Sequence, residues 1–245
     1  MQGKPRVARR RGGAQRRLPR AGLLEYSPGM RLPSTPAAEE HVGLRFLSRP
    51  GAHARAPLVV FVHGRAGNRE VMWSFERAVP TAAAVVAFEA FLPDPLGGFS
   101  WWDFEAPGSK REAIRSASKR LSFALERFVD LEGLEPSHTV ALGFSQGAVL
   151  LSDAMLAGEV ALDGLGLLAG LVPTPEEKPH VIGHPRVLVA HGVSDEVIRV
   201  ERARQGVELL RSLGLDVTYV EDAVGHKVGI EGTRALKAWL HEVLG

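Results

Sequence analysis

From about residue 41 onward, short apolar runs alternate with longer segments whose apolar residues recur every three to four positions. "PLVVFVHG" (57–64), "AAVVAFEA" (83–90), "TVALGF" (139–144), "GLGLLAGLV" (164–172) and "PRVLVAHG" (185–192) are apolar runs of strand length. They read as parallel strands buried on both faces. "DVTYVED" (216–222) is read as a further strand, and the alternating "HVGLRFLS" (41–48) suits a sheet edge. The intervening segments predict helices over 68–79, with Asn68 as N-cap, and over 109–130, 146–158, 200–214 and 231–244. In 109–130 the apolar positions Ile114, Leu121, Phe123, Ala124 and Phe128 leave a charged outer face. Strands and helices in alternation predict an α/β fold, a mainly parallel twisted sheet with helices on both faces. The Pro/Gly-rich loop 92–108 is too short for a cap domain, so the sheet's edge should be open.

Charge changes the picture only at the N-terminus. Residues 1–20 hold seven Arg and one Lys with no acid. Without those eight, 22 basic residues face 28 acidic ones, so the body is mildly acidic although the whole chain is formally +2. Like-charge blocks are disordered as a rule. Residues 1–35 are therefore expected to be a basic, disordered extension and linker, with Met30 as a candidate initiator. "SPGMRLPSTPAAEE" (27–40) carries the linker composition. Residues 36–245 are expected to form a single domain. The extension has neither the apolar core of a secretory signal nor the serines usual in a transit peptide. No apolar run approaches the roughly 20 residues of a membrane span. The absence of cysteine excludes disulfides and a thiol nucleophile.

Candidate chemistry centres on "GFSQGA" (143–148), a Gly-x-Ser-x-Gly pattern between a strand and a helix. So tight a turn leaves no room for side chains at Gly143 and Gly147, and it presents Ser145 at the carboxyl edge of the sheet. A serine hydroxyl needs a base, and the base needs a carboxylate to fix its tautomer. Asp195 follows "PRVLVAHG" and His226 follows "DVTYVED", each just beyond a strand and in the chain order Ser, acid, His.

"GFSQGA", "HGVSDEVI" and "GHKV", with "VFVHGRAG" early and "FSWWDF" between, resemble the carboxylesterase/phospholipase family of α/β-hydrolases, which includes acyl-protein thioesterases. The likeness runs in order over residues 41–245. It implies Ser145 as nucleophile, Asp195 as acid and His226 as base. The backbone N–H groups of Arg65 and Gln146 would form the oxyanion hole, and one of Trp101 and Trp102 would line the acyl site. It further implies cleavage of carboxylic esters, thioesters or lysophospholipids of short to medium chain through an acyl-enzyme. Arg65 departs from the apolar residue frequent at its position.

Other residues compete for these roles. Glu196 adjoins Asp195, and Glu221 and Asp222 end a strand. His63 and His191 are expected to be structural, and Asp103 to hold its loop. His180 and His184 lie between prolines, and no H-E-x-x-H is present, so no metal is expected. "GLGLLAG" mimics a dinucleotide fingerprint but lies inside a strand, so no cofactor is expected either. The expected partner is a small-molecule ester or thioester, with no nucleic acid, in a cytoplasmic protein and a C2 homodimer. Two other readings stand beside hydrolysis of esters: a non-catalytic binder on this scaffold, and an amidase or peptidase.

Overall fold

The computed structural model describes residues 30–245. Residues 1–29, which carry the basic extension, lie outside the described residues. The strands are β1 (Leu32–Pro33), β2 (Phe46–Arg49), β3 (Leu58–Val62), β4 (Ala84–Phe88), β5 (Leu92–Pro93), β6 (Phe99–Ser100), β7 (Thr139–Phe144), β8 (Gly164–Leu168), β9 (Arg186–Gly192) and β10 (Val217–Asp222). The α-helices are α1 (Pro36–Val42), α2 (Lys110–Glu132), α3 (Gln146–Leu156), α4 (Val200–Ser212) and α5 (Ile230–Leu244). Eight strands form one sheet in the order β1-β2-β4-β3-β7-β8-β9-β10, and β5 and β6 form a separate hairpin. From β4 to β10 every pairing is parallel, and β1 and β2 add antiparallel pairings at one side.

Side-chain alternation along the central strands separates two cores. Val60, Val62, Val86, Ala141, Leu165 and Val189 point to one face, where they pack with α2, α3 and α4 residues such as Leu121, Leu150 and Leu210. Val59, Phe61, Val85, Leu142, Leu188 and Ala190 point to the other, beneath Trp73 and the α5 residues Leu236, Trp239 and Leu240. The expected layers are therefore present. At β8 the two fingerprint-like glycines serve packing: a Cβ on Gly164 would lie 3.0 Å from the Trp239 ring, and one on Gly166 would overlap Leu142.

Three expectations are corrected. The stretch read as linker is structured from residue 32: β1 pairs with β2, and α1 begins at Pro36 with Thr35 Oγ1 accepting the Ala38 N–H. Thr followed by Pro at the first helical position is a helix-start signal that the Pro/Ser-rich composition obscured. In consequence β2 is internal, flanked by β1 and β4. The segment after Asn68 is a 3-10 helix, Val71–Ala78; Asn68 Oδ1 accepts the N–H groups of Glu70 and Val71 as a local turn. Among the described residues no helix is long and apolar enough to cross a membrane.

Candidate active site

The carboxyl ends of β3, β7, β9 and β10 deliver four short segments to one edge of the sheet. β7 ends at Phe144 and α3 starts at Gln146, so Ser145 alone makes the turn. Its φ of 52° and ψ of −113° lie where a non-glycine residue is strained, at a typical cost of about 1–3 kcal/mol. The surroundings enforce it. A Cβ on Gly147 would overlap the Val62 carbonyl oxygen, and one on Gly143 would sit 2.5 Å from the Ala148 nitrogen. α3 thus lies directly against β3 and β7, and all eleven of its residues are buried.

Asp195 and His226 come from the loops after β9 and β10. These loops are joined by backbone bonds, Val193 N–H to Asp222 O at 2.8 Å and Ser194 N–H to Val224 O at 3.0 Å. Asp222 holds the far side of the histidine loop by accepting the N–H groups of Glu231 and Gly232 at the start of α5. The result is a continuous chain of contacts. His226 Nε2 lies 3.0 Å from Ser145 Oγ, and His226 Nδ1 lies 2.7 Å from Asp195 Oδ2. Since a carboxylate only accepts, Nδ1 carries the ring proton and Nε2 is the acceptor facing the hydroxyl. The Phe144 ring packs against the imidazole at 5.1 Å between centroids.

Asp195 is 5% exposed. Burial pushes its carboxyl up, but the Ile198 N–H, the His226 imidazole and the Val197 N–H together outweigh that and hold it below the ordinary carboxylate range. Oδ1 takes both backbone donors at 2.9 Å, which leaves Oδ2 for the histidine. The neighbouring Glu196 is exposed. Glu221 is engaged by Arg204 and Tyr219, and Asp222 by α5. None of the three competes for His226.

The turn after β3 borders Ser145. A Cβ on Gly64 would lie 3.1 Å from Ser145 Cβ, so the turn that carries Arg65 runs directly alongside the Ser145 elbow. Among the described residues, neither the Arg65 nor the Gln146 backbone N–H donates to a protein acceptor. His63 is fully buried below this turn, with Nε2 accepting the Ala90 N–H at 3.0 Å and Nδ1 2.6 Å from the Gly64 carbonyl. Burial lowers its pKa to about 4, against the raising effect of the Gly64 bond, so the ring is neutral. His191 is likewise held by backbone, its Nε2 2.7 Å from the Ile198 carbonyl.

Trp101 is not an acyl wall. Its indole is 1% exposed and lies under the turn, donating Nε1–H to the His63 carbonyl at 2.8 Å. Trp102 is 5% exposed and packs against Phe104. Asp103 holds its loop by accepting the Glu105 N–H. The contacts that sequence reasoning missed are those of Asp94, Ser100 and the Gln146 side chain. Gln146 Oε1 accepts the Trp101 N–H and its Nε2 donates to the Trp102 carbonyl. For Asp94 a signal existed in "DPLGG", an Asp before Pro at a turn.

Relatives give this edge a context. A probable carboxylesterase of Oryza sativa subsp. japonica is 25% identical over 184 residues, covering 70% of this chain and 66% of the rice protein, just under two thirds of its length. A probable inactive carboxylesterase of the same organism is 24% identical over 185 residues, 71% of this chain and 73% of that protein. The Bacillus cereus carboxylesterase structure shares the fold at a TM-score of 0.77, with 20% identity over 84% of this chain and 98% of that one. The sheet, its helices and the uncapped edge are those of an α/β-hydrolase fold. The phospholipase/carboxylesterase family model matches residues 49–243, from β2 to the end of α5, and the chain belongs to that family of carboxylesterase-type hydrolases.

Proposed function

We propose that the protein cleaves carboxylic esters or thioesters of short to medium acyl chains through an acyl-enzyme on Ser145. The observation that carries this reading is the unbroken contact from Ser145 Oγ through His226 to the buried Asp195. As Ser145 Oγ attacks the carbonyl carbon, His226 Nε2 takes the hydroxyl proton and the imidazolium is stabilised by Asp195. The carbonyl oxygen becomes an oxyanion and takes hydrogen bonds from the Arg65 and Gln146 N–H groups. Each such donor is worth about 3 to 4 kcal/mol in the transition state. Collapse expels the alcohol or thiol, which leaves with the proton from His226. A water molecule then attacks the acyl-enzyme by the same route, returning Ser145 and releasing the acid.

Hydrolysis of p-nitrophenyl acetate, butyrate and octanoate tests the reading. Turnover that disappears in Ser145→Ala, with unchanged circular dichroism, supports it. Equal turnover by Ser145→Ala contradicts it, and no turnover by the wild type would match the non-catalytic alternative.

A further inference from the structure

Segment 94–102 binds the side chains of both residues whose backbone N–H groups are assigned to the oxyanion, Arg65 and Gln146. At one end, Asp94 Oδ2 accepts Arg65 Nε at 2.9 Å and the Ser100 hydroxyl at 2.6 Å. Asp94 Oδ1 accepts the Leu96 N–H at 2.9 Å. Ser100 Oγ in turn accepts the Ala66 N–H at 3.4 Å, and the Phe99 N–H donates to the Gly67 carbonyl at 2.7 Å. At the other end, the backbone of Trp101 and Trp102 binds the Gln146 side chain, and the Trp101 indole binds the His63 carbonyl. The turn needs this support, because Ala66 has a φ of 57° without being glycine.

We propose that Asp94 is a positioning residue for the oxyanion hole: its carboxylate ties the Arg65 side chain and, through Ser100, the Ala66 backbone, and so fixes the direction of the Arg65 N–H beside Ser145. The inference rests on the hydrolase reading above. Asp94 has the character the role needs. Its side chain is 4% exposed, and the Ser100 hydroxyl and the Leu96 N–H, with Arg65, hold its carboxyl at about 2 against the effect of burial, so it is ionised throughout the working range. Arg65 is thereby engaged with Asp94 and stacked on Phe104 at 5.2 Å, a tether for its own backbone.

The test uses the full chain with p-nitrophenyl butyrate and a trifluoromethyl ketone, whose adduct on Ser145 places an oxyanion where the transition state does. Asp94→Ala is expected to lower kcat on the order of 10- to 100-fold with KM changed by less than about threefold. Ketone affinity should fall in parallel with kcat/KM. Asp94→Asn should recover part of the loss, since an amide oxygen at the Oδ2 position still accepts from Ser100 or Arg65 although the Leu96 bond to Oδ1 is lost. Arg65→Met, which keeps the backbone N–H, should lose activity non-additively with Asp94→Ala. Thermal unfolding of each variant separates loss of fold from loss of positioning. An active wild type whose folded Asp94→Ala variant keeps kcat and ketone affinity within twofold overturns the positioning role alone. If Asp94→Ala does not fold, the same result in Asp94→Asn and Arg65→Met overturns it. A wild type that neither hydrolyses esters nor binds the ketone overturns the hydrolase reading, and this role with it.

Discussion

Ser145 and His226 are 81 residues apart in the chain, yet His226 Nε2 lies 3.0 Å from Ser145 Oγ. That contact depends on Asp195, which holds the opposite ring nitrogen and thereby keeps the acceptor nitrogen facing the hydroxyl. Asp195→Asn should preserve the Val197 and Ile198 bonds to Oδ1 but lose the charge and the tautomer. Ester turnover should fall on the order of 10³- to 10⁴-fold, while unfolding temperature changes little. Glu196→Gln, on the exposed neighbour, should leave kcat/KM within about twofold, as surface changes do. Steady-state kinetics of the two variants decides which acid is used.

The strained turn depends on a close approach of helix and strand. Gly147→Ala would drive a methyl into the Val62 carbonyl oxygen, which sits in a fully buried strand with no freedom to retreat. Destabilisation of at least about 2 kcal/mol is expected, measured as a lower denaturant midpoint. Gly225→Ala is the control. A Cβ there meets nothing nearer than the Ser194 carbonyl oxygen at 3.7 Å, so its cost should stay below about 1 kcal/mol.

His63 imposes a pH dependence on stability. Its pKa is lowered from 6.5 to about 4 in the folded chain, chiefly by burial. Between those values the unfolded chain binds the proton and the folded one does not. Stability is thus fully present above pH 6.5, falls as the pH drops through this window, and stops falling on this account below about 4. The loss amounts to roughly 3 kcal/mol. The depressed carboxyls, Asp94 and Glu221, both at about 2, act lower: their contribution is present above the ordinary carboxylate values and is lost as pH falls towards 2. Urea titrations at pH 7.0, 5.5 and 4.5 should show the slope in the wild type and a much smaller one in His63→Gln. An equal slope in both would assign the effect elsewhere.

The sheet was legible because strands buried on both faces must be continuously apolar, and "PLVVFVHG", "AAVVAFEA" and "PRVLVAHG" are. Ser145 was legible through its glycines, and Asp195 and His226 through their places just beyond strands. What could not be read depends on long-range contact. β1 and α1 hide in a Pro-rich composition because two residues of strand carry no periodic signal. The same letters "WW" place Trp101 beneath the turn, where its indole donates to the His63 carbonyl 38 residues away, and Trp102 against Phe104. Asp94 acts through Arg65 and Ser100, and nothing in its own neighbourhood announces Arg65.

The most direct measurement is incubation of the purified protein with a fluorophosphonate probe, followed by peptide mass spectrometry. A serine activated by His226 and facing the Arg65 and Gln146 donors should carry the phosphonyl group on Ser145, in near one-to-one yield, and Ser145→Ala should carry none. A folded wild type that stays unlabelled, or a label that persists in Ser145→Ala, would contradict the proposed chemistry.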